Sequence, residues 1–275
     1  MMTASQPLEL RASGVTIFRA ATFAAEKHVM QRRKGAIAEP YINHLLEVAE
    51  LLVRTQPGFD LTLVIAGLLH DTLEDTETTR EELAQQFGDD VAGVVCEVSD
   101  DKTLKPEVRR AMQVESAARK SVRGQNLSAA DKVATMRSIL VSPPVGWSLQ
   151  RKRDYFDWAK QVVDQFPNIT PALREDFDTM FTKFGDFERL ARRGQEEEGR
   201  VIDQHFIRLQ DVPVVIETWS QSGMRGRTAV FLTETIPGWS DIKLKMLLIR
   251  SGYPVDSQCT ISRAAEFTTV RFAFE

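Results

Sequence analysis

The segment LTLVIAGLLHDTLEDTETT, residues 61–79, constrains the fold more than any other part of the chain. Its first nine residues carry no charge, which predicts a buried helix over 61–69. His70, Asp71, Glu74 and Asp75 follow at once, and helical spacing would gather them into one cluster. Three carboxylates beside an apolar helix are unfavourable unless a positive charge compensates them, so we expect a divalent cation there. The alternative is an amphipathic helix whose acidic end emerges into solvent.

A metal site needs further ligands, and imidazole with carboxylate suits manganese, iron or zinc. His44 lies at the edge of the apolar stripe in PYINHLLEVAELL, where it is either a second ligand or an ordinary core histidine. Asp131 lies among small residues in LSAADKVATMRSI, which let another helix approach. Asp131 is therefore a candidate ligand; alternatively, it is a helix N-cap or a partner for Lys132. Of the other two histidines, His28 is expected in solvent and His205 has no evident partner.

Two short basic segments indicate what the site could bind. The run QRRK precedes Gly35, and DDKTLKPEVRR contributes Lys102 and Arg109. Each is either a solvated helix end or a holder of phosphate. Lys plus Arg number 35 against 39 Asp plus Glu, a net charge of −4, so the chain offers no broad basic face for a nucleic acid duplex. A small anionic ligand fits better than a polymer, and no nucleic acid partner is expected.

The spacing of apolar residues changes along the chain. Three- and four-residue spacing predicts helices over 15–31, 41–53, 79–98, 107–118, 127–140, 149–166 and 171–192. After the charged stretch ARRGQEEEGR the period shifts towards two, and IRLQDVPVVIETW, RTAVFLTE and EFTTVRFAFE predict strands. Between them DIKLKMLLIRSGYP predicts a helix. We therefore expect an all-α helical bundle over residues 1–194, followed by a small, strand-rich α+β domain over 195–275.

Cysteine use and hydropathy bear on the compartment. Cys96 and Cys259 are the two cysteines and form no C-x-x-C pair, which favours a reducing compartment. The start MMTASQPLELRASG lacks the features of a secretory signal. No uncharged stretch approaches the ~18 apolar residues that span a bilayer. A soluble cytoplasmic protein without a membrane partner is the prediction.

In order along the chain, these residues resemble a known pattern. His44, the pair His70–Asp71 and Asp131 match the H…HD…D motif of the HD superfamily of metal-dependent phosphohydrolases. The series RRK, PYINH, LLHDTLEDT, EVSDDKTL, R-x-x-x-Q and ADK resembles the hydrolase domain of the RelA/SpoT group, in particular the stand-alone small alarmone hydrolases and their animal relatives. Including GWSLQRKRDYFDWAKQVV, the resemblance covers about residues 15–166.

The resemblance implies a helical HD-domain bundle that binds one manganese ion and hydrolyses the 3′-pyrophosphate of ppGpp and pppGpp, giving pyrophosphate and GDP or GTP. It implies metal ligands at His44, His70, Asp71 and Asp131. Glu74 and Asp75 match the acidic pair that activates and positions the attacking water. The residues that fall where the family contacts nucleotide or phosphate are Arg33, Lys34, Lys102, Thr103, Arg109 and Tyr155.

The sequence departs from the family pattern at three positions. Ser128 and Ala129 stand where members usually carry Lys-Leu, and Thr135 stands in place of an Asn. The substrate alternatives therefore include the 2′-phosphate of NADPH, with which the animal relatives are also associated, or another nucleotide at the same site. A different class of function is a nucleotide-binding sensor, or an antitoxin-like protein acting through 195–275. The acidic pair favours hydrolysis, because a binder has little use for it.

The resemblance implies nothing about residues 195–275. The edges of a small sheet are ready pairing surfaces, so this region could mediate self-association or bind a protein partner. The alternative is a passive stabilising segment.

Overall fold

The helical spacing of apolar residues is realised as helices in the computed structural model. It describes residues 6–35, 38–197, 201–209, 212–221, 224–232, 235–253, 255, 259–264 and 267–274. The chain divides into two compact units, one of Met1–Ser138 with Pro144–Met180 and one of Ile139–Pro143 with Phe181–Glu275. The boundaries after Ser138 and after Met180 both fall within helices. The predicted domain boundary at 194/195 stays a prediction.

Ten α-helices and a short 3₁₀ turn precede the strands in the described residues. They are α1 Gln6–Lys27, α2 Ile42–Thr55, α3 Leu61–Leu69, α4 Thr72–Asp75, α5 Arg80–Phe87, α6 Asp89–Val98, α7 Pro106–Ser116, the 3₁₀ turn Ala117–Arg119, α8 Val122–Val141, α9 Leu149–Val163 and α10 Pro171–Glu197. The expected helical bundle is confirmed.

Helix α3 is buried along its length, as its lack of charge predicts. Leu63 through Leu69 are all buried, and the side chain of Asp60 caps the helix by accepting from the Leu63 N–H at 3.1 Å. A Cβ on Gly67 would lie 2.8 Å from Leu52 Cδ1 and 3.4 Å from Ala49 Cα of α2. This close approach of α2 to α3 brings the side chain of His44 towards the end of α3.

Several helices differ in extent from the sequence prediction, among them α8, which begins at Val122, and α10, which ends at Glu197. The segment 79–98 forms two helices instead of one, because Gly88 adopts φ 93°, a left-handed conformation that glycine tolerates. The first of them is capped as expected, with the Thr79 hydroxyl accepting from the Glu82 N–H at 3.2 Å. Helix α1 begins at Gln6, ahead of the predicted start at residue 15.

The second unit contains an antiparallel sheet and one further helix. Its elements are β1 Val201–Leu209, β2 Val212–Gln221, β3 Met224–Leu232, α11 Asp241–Arg250, β4 Thr260–Arg263 and β5 Phe267–Phe274, and the strands lie in the order β1-β2-β3-β5-β4. The segment predicted as one stretch of strand, IRLQDVPVVIETW, supplies the end of β1 and most of β2.

Helix α11 packs its buried face into the core of this unit. Leu244, Leu247 and Leu248 join a buried cluster with strand residues that include Val214, Phe231 and Phe272. The strand-rich α+β prediction is confirmed. Across the described ranges, no helix is long and apolar enough to cross a bilayer.

Candidate metal centre

Two imidazoles and two carboxylates converge where α3 ends. His44 comes from α2, His70 and Asp71 from the turn after α3, and Asp131 from α8. Nε2 of His44 lies 3.2 Å from Asp131 Oδ1 and 3.7 Å from Asp71 Oδ2, and Nε2 of His70 lies 3.2 Å from Asp71 Oδ2 and 3.8 Å from Asp131 Oδ1. Donor atoms bound to one ion at about 2.1 Å lie about 3 to 3.5 Å apart. The spacing suits a shared cation, and three of the four residues, His44, His70 and Asp131, form a cluster able to hold one.

The imidazoles are oriented for such an ion. Nδ1 of His70 lies 2.9 Å from the carbonyl of Gly67, which can only accept, so Nδ1 carries the proton and Nε2 offers its lone pair. Within the described chain, this buried Nε2 has no hydrogen-bond partner, and neither has Nδ1 of His44. A buried nitrogen without a partner is unfavourable, and a divalent cation at Nε2 of His70 would satisfy it. These residues therefore fit a divalent metal.

The carboxylates make the site strongly negative. Burial alone lowers the pKa of His70, but the charges of Asp71 and Asp131 outweigh burial and raise it well above its usual value, so without a cation Nε2 also holds a proton, which a bound ion would displace. Burial would raise the pKa of Asp71 and Asp131, but the neighbouring imidazoles hold both below the ordinary range. Concentrated negative charge of this kind attracts a cation. Helix α3 ends at Leu69, so His70 and Asp71 lie in a turn between α3 and α4. They therefore do not share one continuous helix with Glu74 and Asp75, contrary to the sequence prediction.

Tyr41 fixes one of the carboxylates. Its hydroxyl donates to Asp71 Oδ2 at 2.6 Å. Burial, followed by the charge of Asp71, raises the pKa of Tyr41 far above its usual value, so the hydroxyl stays protonated and remains a donor.

Glu74 and Asp75 lie on α4, directly after His70 and Asp71. Glu74 Oε2 accepts from the Asp100 N–H at 3.1 Å, while Lys102 Nζ and Arg109 Nη1 approach Oε1 to 3.9 and 3.8 Å. Burial raises the pKa of Glu74 against the opposing effect of the Asp100 N–H. A carboxylate with a raised pKa is suited to accepting a proton near neutral pH.

Asp75 is held on both of its oxygens. Oδ1 pairs with Lys102 Nζ, and Oδ2 accepts from Gln31 Nε2 at 2.7 Å. Gln31 Oε1 in turn lies 2.6 Å from Nδ1 of His28.

The prediction that His28 is solvated is wrong, since His28 is 3% exposed and its ring stacks on Tyr41. The charged neighbours of His28 in sequence gave no signal that its side chain turns inwards.

The structure brings four of the six expected substrate-binding residues near this centre. Lys102 and Arg109 approach Glu74, and the Arg33 guanidinium lies 5.7 Å from the ring centroid of Tyr41. Tyr155 is buried between Trp147 and Trp158, and its pKa is raised by burial and then by the charge of Asp131.

Lys34 and Thr103 are placed differently. Both residues are exposed. The Lys34 carbonyl accepts from the Val145 N–H at 2.9 Å, and the Thr103 hydroxyl donates to Asp101 at 2.7 Å. Among the contacts of the described residues, neither side chain reaches the four converging residues, so the structure does not bring these two to the centre.

A hydrogen-bonded chain beside Glu74 was not identified as a site from sequence. Gln113 Nε2 donates to both carboxylate oxygens of Asp100 at 2.9 Å, and its Oε1 accepts from Lys132 Nζ at 3.0 Å. Lys132 is 2% exposed and its Nζ lies 4.6 Å from the ring centroid of Trp158. The R-x-x-x-Q and ADK motifs contain Gln113 and Lys132, but only the folded chain shows that they meet.

The three departures from the family pattern lie on α8. Ser128 and Ala129 are buried, so short side chains fill these positions. Thr135 Oγ1 lies 3.5 Å from Asp131 Oδ1, and its side chain also bonds to the hydroxyl of Tyr155. A threonine here therefore connects Asp131 to the aromatic cluster around Tyr155.

The helical fold with its paired histidines and aspartates is that of an HD domain, and the HD domain family model matches residues 20–152. The chain is 44% identical over 169 residues to the Xenopus tropicalis protein named guanosine-3′,5′-bis(diphosphate) 3′-pyrophosphohydrolase MESH1, an alignment covering 62% of this chain and 94% of that protein. It is 41% identical over 169 residues to the human protein of the same name, with the same coverage.

Among solved structures, one described as a metazoan ortholog of SpoT that hydrolyzes ppGpp matches with a TM-score of 0.60 and 38% identity, covering 62% of this chain and 96% of that one. The chain belongs to the MESH1 family of HD-domain proteins. The resemblance to the RelA/SpoT hydrolase group is confirmed.

Proposed function

We propose that this chain is a metal-dependent (p)ppGpp 3′-pyrophosphohydrolase, which converts the alarmone to GDP or GTP with release of pyrophosphate and so lowers its level. The observation that carries the proposal is the position of Glu74 and Asp75, which directly follow two of the four converging donors, His70 and Asp71, in a chain similar to proteins named for this reaction. A protein that only bound the nucleotide would have little need of this acidic pair.

The proposed metal ligands are His44, His70, Asp71 and Asp131. Two nitrogen and two oxygen donors suit several divalent ions, and we propose manganese because the family resemblance implies it. When bound, such a cation polarises a phosphoryl oxygen and lowers the pKa of coordinated water.

In this proposal Glu74 is the general base. Its carboxylate takes a proton from the water that attacks the phosphorus attached to the 3′ oxygen of the ribose. The bond between that phosphorus and the 3′ oxygen breaks, the 3′ oxygen takes up a proton from solvent to become the 3′ hydroxyl of GDP or GTP, and the oxygen of the water leaves within the pyrophosphate. Asp75 positions the water, while Lys102 and Arg109 offset the negative charge of the pyrophosphate group.

The remaining expected contacts stay proposals. Arg33 beside Tyr41, and Tyr155 in its aromatic cluster, are proposed to contact the nucleotide. Lys34 and Thr103, which are exposed, are proposed to contact phosphate at the rim. The free thiols of Cys96 and Cys259 support the expected reducing, cytoplasmic compartment.

A second candidate substrate is NADPH, with removal of its 2′-phosphate at the same site. It is favoured by the altered surface of α8, where Thr135 connects Asp131 with Tyr155 and where Ser128 and Ala129 are small. These positions could change the contacts to sugar or base without changing the metal donors.

Product analysis separates the two candidates. The purified chain is incubated with ppGpp or with NADPH, each with and without Mn²⁺, and pyrophosphate and orthophosphate are measured separately. The proposal predicts Mn²⁺-dependent pyrophosphate release from ppGpp that exceeds orthophosphate release from NADPH. Orthophosphate from NADPH alone would instead establish the second candidate.

We also propose that residues 195–275 mediate self-association through an edge of the sheet. The strand order leaves β1 and β4 at the edges, and edge strands are pairing surfaces. A protein partner at the same edges, such as an alarmone synthetase neutralised together with its product, is the alternative.

A further inference from the structure

His28 is a buried imidazole that the proposed mechanism does not use. It follows α1, is 3% exposed, and stacks on Tyr41 with ring centroids 5.1 Å apart and an interplanar angle of 26°. Its Nδ1 lies 2.6 Å from Gln31 Oε1. Burial lowers the pKa of His28 although the Gln31 bond raises it, which favours the neutral ring.

The hydrogen-bond directions along this chain follow from what each group can donate. The ionised carboxylate of Asp75 only accepts, so Gln31 presents its NH₂ group to Asp75 Oδ2, at 2.7 Å. The amide oxygen of Gln31 is then left facing His28, and it too only accepts. Nδ1 of His28 must therefore carry the proton, which fixes the tautomer of a neutral ring.

We propose that Gln31, held in place by His28, is the positioning residue for Asp75. This inference rests on the proposed function, in which Asp75 positions the attacking water. Lys102 is the other donor to Asp75, but its side chain is 46% exposed and it is proposed to bind substrate phosphate. When the ammonium of Lys102 turns to a phosphate, Asp75 keeps the amide of Gln31.

A neutral amide is suited to this role because it has no charge to be drawn towards the phosphate. Its own orientation is fixed, since Oε1 is bonded to a buried ring that is in turn stacked on Tyr41. Tyr41 also donates to Asp71, so a test must separate an effect on Asp75 from an effect on the proposed metal ligand.

The kinetic test uses the full-length chain with Mn²⁺ and ppGpp. Gln31→Leu removes both hydrogen bonds, and we expect kcat to fall at least about tenfold while KM and Mn²⁺ affinity stay within about twofold. His28→Phe keeps the stacked ring but loses the donor, and we expect a smaller fall in kcat. In the double variant, His28→Phe should cause no further loss once Gln31 is gone.

Met30→Ala is the matched control, because Met30 is adjacent to Gln31 and is 85% exposed. It should leave kcat unchanged. An unchanged kcat in Gln31→Leu, a loss confined to KM or Mn²⁺ affinity, or additive losses in the double variant would each overturn the inference.

A second measurement does not depend on turnover, so it separates this inference from the proposed function. Imidazole ¹⁵N NMR of the wild-type chain should show His28 as the neutral Nδ1–H tautomer, with the His28→Phe variant identifying its signals. In Gln31→Leu we expect the tautomer or pKa of His28 to change. An Nε2–H tautomer in the wild type would overturn the hydrogen-bond chain, whereas absent ppGpp turnover with the expected tautomer would contradict only the proposed function.

Discussion

Asp71 is held by two contacts of different kinds. Its Oδ2 lies 3.2 Å from Nε2 of His70 and accepts the hydroxyl of Tyr41 at 2.6 Å. Because the pKa of Tyr41 is raised by burial and by Asp71 itself, the hydroxyl keeps its proton and the carboxylate keeps its orientation. The proposed ligand is thus fixed by the fold before any ion binds.

Asp71→Ala tests the ligand assignment. We expect loss of both Mn²⁺ binding and ppGpp turnover, because one of four donors and its charge are removed, while circular dichroism keeps the helical signal. Asp90→Ala, at an exposed acid in the first turn of α6, is the control and should keep both. Unchanged metal content in Asp71→Ala would remove this residue from the ligand set.

Tyr41→Phe tests the contact that orients Asp71. Removing the hydroxyl leaves the ring in place but frees the carboxylate to rotate, so we expect Mn²⁺ affinity to fall about 10- to 100-fold. Titration calorimetry on wild type and variant measures this directly. Equal affinities would mean that Asp71 needs no support from Tyr41.

Glu74 should control the acid limb of the pH–rate profile. A general base must be deprotonated, so the rate falls as pH drops through its pKa, and burial raises that pKa above the ordinary 4.5. We expect the wild-type acid limb to have a midpoint above 4.5. Glu74→Gln should bind Mn²⁺ normally, turn over at least about 100-fold more slowly, and lose this limb. The same limb in the variant would assign it to another group.

Helices determine how precisely the donors meet. The approach of α2 to α3 depends on Gly67, where a Cβ would lie 2.8 Å from Leu52 Cδ1 and 3.4 Å from the backbone of Ala49. His44 lies on α2 and His70 follows α3, so the separation of these helices sets the separation of the two imidazoles. The close packing of α2 against α3 therefore positions the proposed metal ligands as well as forming part of the core.

Gly67→Ala should therefore weaken both stability and metal binding. We expect the free energy of unfolding to fall by about 1 to 3 kcal/mol, because the added methyl group overlaps the buried side chain of Leu52, which must move. Gly93→Ala in α6, where the added Cβ meets nothing within 4 Å, is the control and should raise stability by about 0.4 to 1 kcal/mol. Urea unfolding measures both, and equal effects would contradict the packing argument.

The sequence predicted much of this element-level structure because the signals were local. The uncharged run over 61–69 is a buried helix, and the donors His44, His70, Asp71 and Asp131 do converge. The bonds of Gln31 to Asp75 and of Lys132 to Gln113 join residues 44 and 19 positions apart, so no local pattern contains them. His28 was misplaced for the same reason, since its inward direction depends on Tyr41.

At the scale of the whole molecule, the MESH1 relatives align with 62% of the chain, so the strand-rich unit lies largely outside the part they share. Besides Ile139–Pro143, the compact unit that contains the sheet comprises the chain from Phe181 onwards, which starts inside α10 and includes Phe184 and Phe187, 0% and 3% exposed. A cut at 194/195 would separate these phenylalanines from their own unit.

Two truncations test this division. A chain ending at residue 194 keeps Phe184 and Phe187 but lacks residues 195–275 of their compact unit, so we expect it to bind more of an apolar dye than a chain ending at residue 180. If the strand-rich unit mediates self-association, the full-length chain sediments as a dimer and the chain ending at 180 as a monomer. If both proteins sediment with the same number of chains per particle, the strand-rich unit would have only a passive, stabilising role.

The proposed hydrolysis is tested by following the nucleotide itself. Full-length wild type and Glu74→Gln, each loaded with Mn²⁺ to the same measured content, are incubated with ppGpp, and the products are separated by chromatography. We expect the wild type to yield GDP and pyrophosphate in equal amounts while Glu74→Gln leaves ppGpp almost unchanged. Intact ppGpp with the metal-loaded wild type, or equal rates in the two proteins, would show that Glu74 does not catalyse this hydrolysis.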